Sequence, residues 1–379
     1  MNPSYVLRNA DSVFSPALVF HAQLIRANID RALELAGGPA RLRPHVKTHK
    51  TREIVSMLLD AGVTAHKCAT IAEAELLAST GAPDVLIAYQ LVGPNIGSLI
   101  RLIRTFPDTR FSTIVDHEHA VHALSECLDA EGVSVGVLLD LDVGQHRSGI
   151  PMGDSDAALS LYLLAARLPS LVPSGFHVYD GHNNQSDVAV RERNVREILA
   201  TVLALRARAE AKGVEVPRLV CGGTPSFPVY ARMTDVNGIE CSPGTIVLHD
   251  AGYGSQYPDL VGVTPAAVLM TRVVSLPAPN RITLDLGTKA VASDPRMRSR
   301  VALLDFPKYE TVGHNEEHLI VEIEAGIEAA SLYKPGDLVY ALPGHICPTV
   351  ALHKEALVAD GHKITGRWTI AARDRTLTV

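Results

Sequence analysis

The sequence predicts an α/β protein with a (β/α)8 barrel of the TIM type and a second, mostly antiparallel β domain. Short β-type runs alternate with longer helical runs up to about residue 250, which is typical of a closed parallel barrel. After about Gly252 the runs become short, β-rich and separated by turn signals. We therefore predict a barrel over residues 21–250 and a β domain formed by residues 1–20 and 251–379.

The elements of the barrel follow from apolar periodicity and turn residues. The predicted helices are Gln23–Leu35, Glu53–Leu59, Ile71–Ala78, Asn95–Arg104, His117–Ala130, Asp156–Leu168 and Val188–Lys212. The predicted strands are Arg41–His45, Thr64–Cys68, Val85–Ala88, Arg110–Val115, Val135–Leu141, Gly175–Tyr179, Arg218–Cys221 and Ile239–Cys241. A doubly wound open sheet is the alternative, because periodicity does not indicate whether a parallel sheet closes.

The β domain is predicted from runs without a long amphipathic helix. Its predicted strands are Val268–Leu276, Arg281–Leu284, Leu319–Ile323, Leu338–Ala341 and Glu355–Val358. The Ala17–Phe20 run has no place in the eight barrel strands, so we expect it to join the β domain.

Composition excludes several classes of protein. Hydrophobic residues make up 47% of the 379 residues, enough for a sizeable core, and the net charge of −6 argues against binding nucleic acid or an anionic membrane. The longest apolar stretch, Ala157–Ala166, falls short of the roughly 20 residues that a membrane-spanning helix needs. Five scattered cysteines argue against a disulfide framework, and the N-terminal residues lack a signal-peptide pattern. We expect a soluble cytoplasmic protein.

Two glycine-rich loops follow the seventh and eighth predicted strands. Gly222, Gly223 and Thr224 follow one, and Gly244 and Thr245 follow the other. Loops at these two strands of a barrel commonly bind phosphate through backbone N–H groups. Each loop alone is more often a plain turn, but the pair favours a phosphate site.

Lys47 lies after the first predicted strand, within the basic segment Arg43–Lys50. A lysine at the inner end of a barrel strand can bind an aldehyde as a Schiff base. The charge pattern alone favours a solvated basic loop. A lysine opposite a phosphate site, however, suggests pyridoxal phosphate as the cofactor.

His345 and Cys347 are candidate metal ligands in the β domain. If this segment is a strand, residues i and i+2 face the same side and present an imidazole and a thiolate together. Two protein ligands leave coordination positions open, as a catalytic metal requires. The alternative is a buried thiol beside a core histidine.

Four segments carry a resemblance to a known family: Arg43–Lys50, Asp142–Gly149, Gly222–Thr224 and Pro343–His353. They resemble the D-threonine aldolase and D-serine dehydratase-like family, whose members are pyridoxal phosphate enzymes with an alanine-racemase-type barrel and a C-terminal β domain. The resemblance extends over nearly the whole chain.

The resemblance implies roles for most of these residues. Lys47 would bind the cofactor covalently, while Arg147 and Tyr179 would line it. The two glycine loops would hold the phosphate, and His345 with Cys347 would bind a divalent metal, namely zinc, manganese or magnesium. Members of the family tend to form homodimers.

Two features leave the reaction open. The His-x-Cys pair at His345 and Cys347 resembles the dehydratases and favours zinc, whereas Pro348–His353 resembles the bacterial aldolases. The segment after Tyr179 also departs from the aldolase pattern, so His182 is the candidate base for the β-hydroxyl proton; a hydrogen-bonded loop histidine is the alternative.

Cleavage of a D-β-hydroxy-α-amino acid to glycine and an aldehyde is the leading hypothesis. Dehydration of D-serine or a 3-hydroxyaspartate is the second. A non-catalytic pyridoxal phosphate carrier and a metal-only barrel hydrolase are further alternatives.

Overall fold

The computed structural model describes residues 5–375 and 377–378. Its strands are β1 (Ala17–His21), β2 (Ala65–Cys68), β3 (Asp84–Ile87), β4 (Arg110–Val115), β5 (Val135–Asp142), β6 (Ile150–Pro151), β7 (Leu171–Val178), β8 (Leu219–Cys221), β9 (Ile239–Cys241), β10 (Ala267–Ala278), β11 (Arg281–Leu284), β12 (Val301–Leu303), β13 (Tyr309–His314), β14 (Leu319–Ile323), β15 (Leu338–Pro343), β16 (Glu355–Asp360) and β17 (Lys363–Thr369).

The helices occupy the intervals between many of these strands. They are α1 (Ala22–Ala36), α2 (Arg52–Asp60), α3 (Ile71–Ser79), α4 (Pro94–Thr105), α5 (Glu118–Ala130), α6 (Ser155–Ala165), α7 (Val188–Ala211), α8 (Phe227–Arg232), α9 (Ala251–Gln256), α10 (Ala329–Leu332) and α11 (Ile346–Leu352). Short 3-10 turns include Val46–Thr48 and Thr245–Val247. Among the helices of the described residues, none is long and apolar enough to cross a membrane.

The chain divides into two compact units, each of which packs mainly within itself. The barrel unit consists of Asp30–Lys47, Arg52–Gly244 and the described residues after Arg373. The β unit consists of the described residues up to Ile29 together with Thr48–Thr51 and Thr245–Arg373. The predicted domain bounds, 21–250 and 1–20 with 251–379, stay a prediction.

The barrel unit contains a parallel sheet in the order β2-β3-β4-β5-β7-β8-β9. The remaining gap is filled by the segment from Leu42 to His45, which forms isolated parallel bridges to Cys241 on one side and Lys67 on the other. The predicted strand Arg41–His45 is thus irregular, because Pro44 has no N–H to donate to a ladder. The predicted barrel architecture is confirmed.

The barrel interior is filled by apolar side chains from alternating positions of its strands. Leu86, Ile114, Leu138 and Val220 form one buried cluster, and all are at most 4% exposed. This is the packed core expected of a TIM-type barrel, so polar side chains inside it stand out against an apolar background.

The turn from β2 to α3 is fixed by reciprocal capping. Thr70 is the N-cap of α3, and its hydroxyl accepts a hydrogen bond from the Glu73 N–H at 3.1 Å. The Glu73 carboxylate in turn accepts from the Ala69 N–H at 2.6 Å. Two otherwise unpaired donors at the helix start are thereby satisfied, which holds the end of β2 in place.

The β unit is built around one mixed sheet in the order β13-β14-β11-β10-β1-β16-β17, with β15 pairing to β10 and β12. β1 pairs antiparallel with β10 and parallel with β16, so the Ala17–Phe20 run does join the β strands. The other pairings are antiparallel, as predicted for the second domain. Its described apolar core includes Val19, Val268, Met270 and Leu357.

Candidate active site

Lys47 occupies the short 3-10 turn that follows the irregular first segment of the barrel. Its side chain is half-buried, and its backbone N–H donates to His45 Nδ1 at 3.2 Å. His45 N–H in turn donates to the Pro243 carbonyl at 3.0 Å. The backbone before Lys47 is therefore anchored to the loop that follows β9.

Arg147 and Tyr179 lie together at the ends of β5 and β7. The Arg147 guanidinium carbon lies 4.5 Å from the centroid of the Tyr179 ring, a cation–π contact. Asp142 fixes the loop that leads to Arg147: its Oδ1 accepts from the N–H groups of Gly144 and His146 at 3.0 and 2.9 Å. The structure thus brings together two residues that the sequence predicted to line a cofactor.

Lys67 was not predicted, yet it is buried beside this group. Its side chain is 3% exposed, and its ammonium lies 6.0 Å from the centroid of the Tyr179 ring. Burial, the charge of Lys47 and the charge of Arg43 lower the pKa of Lys67 to about 7. The signal in the sequence was a lysine inside the predicted strand Thr64–Cys68.

Asp140, a buried carboxylate of the barrel interior, already has two polar partners. Asp140 accepts from Ser148 Oγ at 2.9 Å and lies 2.7 Å from His177 Nδ1. Burial opposes ionisation of Asp140, but the partner His177 and the hydrogen bonds lower its pKa overall. Asp140 is therefore hydrogen-bonded to His177 and Ser148, and its charge only partly opposes the lowering of the Lys67 pKa.

The two glycine loops meet in the barrel unit. Gly244 N–H donates to Thr224 Oγ1 at 3.1 Å, which links the loop after β9 to the loop after β8. Gly222 has φ +76°, and a Cβ there would lie 2.7 Å from Ser226 Oγ and 2.9 Å from the Tyr230 ring. Only glycine fits at this position, and the Gly222 N–H donates to the Val178 carbonyl at 2.8 Å.

Buried polar contacts fix the first of these loops. The Ser226 hydroxyl donates to Asp180 Oδ1 at 2.7 Å and accepts from the Gly223 N–H at 3.2 Å. Burial raises the pKa of Asp180. This arrangement, which sequence reasoning missed, sets the direction of the glycine backbone.

His182 lies against the loop after β5. A Cβ on Gly144 would lie 2.9 Å from His182 Nε2, so glycine is required for this close approach. His182 Nδ1 is buried and has no hydrogen-bond partner among the described residues. The role of His182 stays a prediction.

His345 and Cys347 lie at the start of a helix, so the strand predicted for them is wrong. β15 ends at Pro343, His345 is the N-cap of α11, and Cys347 is in its first turn. Gly344 lies so close to the Ser299 carbonyl that a Cβ would be 1.8 Å from that oxygen. The chain turns at Gly344. The two side chains come together because they lie at the N-cap and in the first turn of α11, and not because they alternate along a strand.

A carboxylate orients the imidazole of this pair. His345 Nδ1 lies 2.6 Å from Asp294 Oδ2, which leaves Nε2 as the nitrogen for Cys347 or a metal. Burial opposes protonation, but the hydrogen bond and charge of Cys347, followed by those of Asp294, raise the pKa of His345 to about 9. Asp294 is a residue that sequence reasoning missed, because it lies 51 positions from His345.

Two threonines contact the sulfur of Cys347. Thr48 Oγ1 lies 3.2 Å and Thr245 Oγ1 lies 3.5 Å from Cys347 Sγ. Thr48 is bonded to Lys47 in the chain, and Thr245 is bonded to Gly244. The predicted metal pair therefore contacts the immediate chain neighbours of the predicted cofactor lysine and of the second glycine loop.

The residues present fit both groups that the sequence suggests. Adjacent imidazole and thiol donors suit zinc, although no group of three His, Cys, Asp or Glu side chains that could hold a metal exists among the described residues. A metal here would have two protein ligands and open positions. The buried Lys67 ammonium suits an anionic cofactor, and the loop after β8 has no room for a side chain at Gly222.

The β unit also contains a cavity of about 870 Å³ that His345 and Cys347 do not line. Its lining includes Tyr5, His249, Asp250, Phe306 and Tyr340, but neither His345 nor Cys347. The chemistry-bearing residues therefore do not coincide with this cavity.

Comparisons with known proteins agree with this geometry. A family model described as the alanine racemase N-terminal domain matches residues 21–248, and one described as a putative serine dehydratase domain matches residues 266–359. A D-threonine aldolase from Arthrobacter sp. is 28% identical over 95% of this chain and 93% of its own length.

Two further relatives carry different activities in their names. A D-threo-3-hydroxyaspartate dehydratase from Delftia sp. (strain HT23) is 25% identical over 92% of this chain and 95% of its own length. The crystal structure of a D-threonine aldolase from Filomicrobium marinum superposes with a TM-score of 0.86 at 26% identity, covering 98% of this chain and 99% of that chain.

Proposed function

The chain belongs to the alanine racemase N-terminal domain family, and on that premise we propose that it is a pyridoxal phosphate- and divalent-metal-dependent lyase. The reaction that we propose is cleavage of D-β-hydroxy-α-amino acids, such as D-threonine, to glycine and an aldehyde. The main support for an enzyme with both groups is the contact of Cys347 with Thr48. Thr48 follows Lys47 directly in the chain, so a proposed metal ligand contacts the neighbour of the proposed cofactor lysine.

Lys47 would hold the cofactor aldehyde, and the glycine loops would hold its phosphate. Gly222, Gly223, Thr224, Gly244 and Thr245 would form this phosphate site; the N–H groups of Gly223 and Gly244, which donate to Ser226 and Thr224 in this structure, would donate to phosphate oxygens instead. Tyr179, backed by the Arg147 guanidinium at 4.5 Å, would pack against the cofactor and orient it. Bound pyridoxal phosphate supplies an electron sink for the bond that breaks at the substrate α carbon.

His345 and Cys347 would hold the divalent metal, whose contribution is to polarise the substrate β-hydroxyl. Asp294 keeps the His345 ring oriented with Nε2 free of the carboxylate. His182 is the residue that we propose as the base for the β-hydroxyl proton, because its buried Nδ1 has no described partner. Aldehyde release then follows from removal of that proton.

Dehydration of D-serine or a 3-hydroxyaspartate is the second candidate. The His-x-Cys pair favours it, and the Delftia relative is named a dehydratase. Here an amine such as that of Lys47 removes the α proton and hydroxide leaves from the β carbon. The same side chains serve both reactions, so the products must distinguish them.

The decisive experiment is incubation of the purified protein, with pyridoxal phosphate and each of zinc, manganese and magnesium, with D-threonine. We expect glycine and acetaldehyde in equal amounts. Formation of 2-oxobutanoate and ammonia instead would favour the dehydratase. The matched control is Lys47→Ala, which should abolish both product formation and covalent retention of the cofactor after borohydride reduction.

The metal pair is tested separately through its orienting carboxylate. Asp294→Asn should weaken metal binding roughly 10- to 100-fold, because outer carboxylates fix the ligand ring and raise its basicity. Equilibrium dialysis of zinc measures this without substrate. Asp305→Asn, at an exposed position of the β unit, is the control. Unchanged zinc affinity in Asp294→Asn would remove the support for His345 as a ligand.

We also propose that the chain forms a homodimer. Analytical ultracentrifugation of the holoprotein checks this, with a sedimentation mass of twice the chain as the expected result.

A further inference from the structure

Lys67 is a buried cation that the proposed mechanism does not use. It is 3% exposed on β2, and no ion pair between it and a carboxylate exists within residues 5–375. Asp140, the nearby carboxylate, is engaged by His177 and Ser148. The charge of Asp140 acts on the Lys67 ammonium but forms no ion pair with it among the described residues, so an anionic ligand would lower the cost of burying this cation.

The backbone places Lys67 beside the segment that ends in Lys47. The Lys67 N–H donates to the Pro44 carbonyl at 2.9 Å, and His45 and Lys67 are bridge partners. Arg147 contributes a further positive charge through the Tyr179 ring that the two cations share, at 4.5 and 6.0 Å. The positive charge is therefore concentrated where Lys47 would meet the cofactor aldehyde.

Resting on the proposed function, we propose that Lys67 binds the phenolate oxygen of pyridoxal phosphate. The cofactor has two anionic parts, its phosphate and the phenolate on the ring carbon next to the one that bears the aldehyde. The phosphate is assigned to the glycine loops after β8 and β9, whereas Lys67 is on β2, beside the lysine that takes the aldehyde. The phenolate is the anion that must lie close to that lysine.

The position of Lys67 is fixed before any ligand arrives. β2 pairs with β3 in regular register, with Lys67 opposite Leu86. The capping contacts of Thr70 and Glu73 hold the turn that follows. A cation placed in this way is preorganised, so its contact costs little side-chain entropy on binding. Lys67 would keep the phenolate ionised and fix the rotation of the cofactor ring.

The test compares two ligands on the full-length apoprotein: pyridoxal phosphate and its 3-O-methyl ether, which has no ionisable phenol. Lys67→Met should lose roughly 10- to 100-fold in affinity for pyridoxal phosphate, the usual effect of one hydrogen bond to a charged group. Affinity for the 3-O-methyl ether should change less than about threefold. Lys67→Arg should keep most of the preference for the free phenol, and Lys212→Met, at an exposed lysine of the same unit, should keep all of it.

The outcomes separate this assignment from the proposed function. Equal losses for both ligands in Lys67→Met would make Lys67 merely structural, and no loss for either would exclude the contact; both results overturn the proposal. Binding of the ether also shows that the variant is folded. Borohydride reduction and peptide mapping of the wild-type holoprotein should place the cofactor on Lys47. Absence of label there, or label on Lys67, overturns the proposed function and this assignment together.

Discussion

The two ends of the barrel differ in whether their buried charged side chains form ion pairs. At the N-terminal ends of the strands, Asp84 accepts from Arg43 at 2.7 Å and from Arg218 at 3.1 Å, and it also pairs with Arg110. Glu240 pairs with the same Arg43. Every charge in this cluster has a partner, which is the arrangement that stabilises a fold.

At the opposite ends of the strands, none of Lys67, Lys47 and Arg147 forms an ion pair with a carboxylate among the described residues. The three cations influence one another there, and Asp140, whose charge also acts on Lys67, is hydrogen-bonded to His177. The paired end therefore stabilises the fold, whereas the proposed function gives the other end an anionic ligand. Substitutions at the two ends should therefore have opposite effects on stability.

The largest effect is expected at the paired end. Asp84→Asn should lower the free energy of unfolding by about 3–5 kcal/mol, because three arginines lose a shared buried counter-ion. Urea denaturation of the apoprotein measures this. Glu34→Gln, in an exposed pair with Arg31, is the control and should change stability by less than about 1 kcal/mol. Similar changes in the free energy of unfolding for the two variants would show that the buried cluster contributes no more to stability than an exposed pair.

The same cluster predicts a pH dependence. Burial opposes ionisation, but Arg43, then Arg110 and Arg218, hold the pKa of Asp84 well below its ordinary value of 3.8. The stabilisation is therefore complete above that ordinary value and is lost as the pH falls through the folded-state pKa. Acid titration of unfolding should show this loss in the wild type and not in Asp84→Asn.

A smaller effect of opposite sign is expected at the other end. Lys67→Met should raise the free energy of unfolding of the apoprotein by about 1–4 kcal/mol near neutral pH, since an unpaired buried charge is removed. Because the folded-state pKa of Lys67 is lowered to about 7 from 10.5, the penalty is complete below pH 7. It is relieved as the pH rises from about 7 to 10.5, so wild type and variant should converge there. A constant difference across this range would contradict the assignment.

The glycine loop should respond more weakly. Gly222→Ala should cost about 1–3 kcal/mol, because alanine is strained at φ +76° and its Cβ meets Ser226 and Tyr230. Gly153→Ala, where a Cβ would meet nothing within 4 Å, is the matched control. Thermal unfolding of the two variants, with and without inorganic phosphate, measures stability and ligand response together. Equal melting temperatures would argue against a constrained loop.

The smallest effect is expected for a charge pair at neither end. Arg196 and Glu192 form an exposed i,i+4 pair on α7, at 2.7 Å. Arg196→Gln should change the free energy of unfolding by less than about 0.5 kcal/mol, because solvent screens the pair. An effect as large as that of Asp84→Asn would show that burial is not what distinguishes the two ends.

Local signals in the sequence predicted most of the barrel, and their failures have local physical reasons. Apolar periodicity placed β4, β9 and α7 within a residue of their observed bounds. It did not foresee that Pro44 would interrupt the first segment, or that short elements such as α8 and α9 would follow the glycine loops. A helix of six residues contains too few turns for periodicity to identify.

The candidate site divides in the same way. Lys47, His345 and Cys347 stand in recognisable patterns, so their chemistry could be suggested without coordinates. Asp294 and Lys67 could not be, because what they do depends on contacts between residues distant in the chain or on burial inside a strand. Spacing also gave the wrong local structure for His345 and Cys347, since two residues apart fits the start of a helix as well as a strand.

The central place of β1 in its sheet has a consequence for synthesis of the chain. Residues 17–21 are synthesised long before their partners β10 and β16, which begin at residues 267 and 355. At roughly 5–20 residues per second, the strand waits on the order of 12–50 s for β10. Throughout that interval, Leu18, Val19 and Phe20, at most 1% exposed in the finished fold, have no sheet to join. The barrel unit can fold meanwhile, so the nascent chain passes through a stage in which an apolar strand precedes a completed barrel and is open to capture by a chaperone.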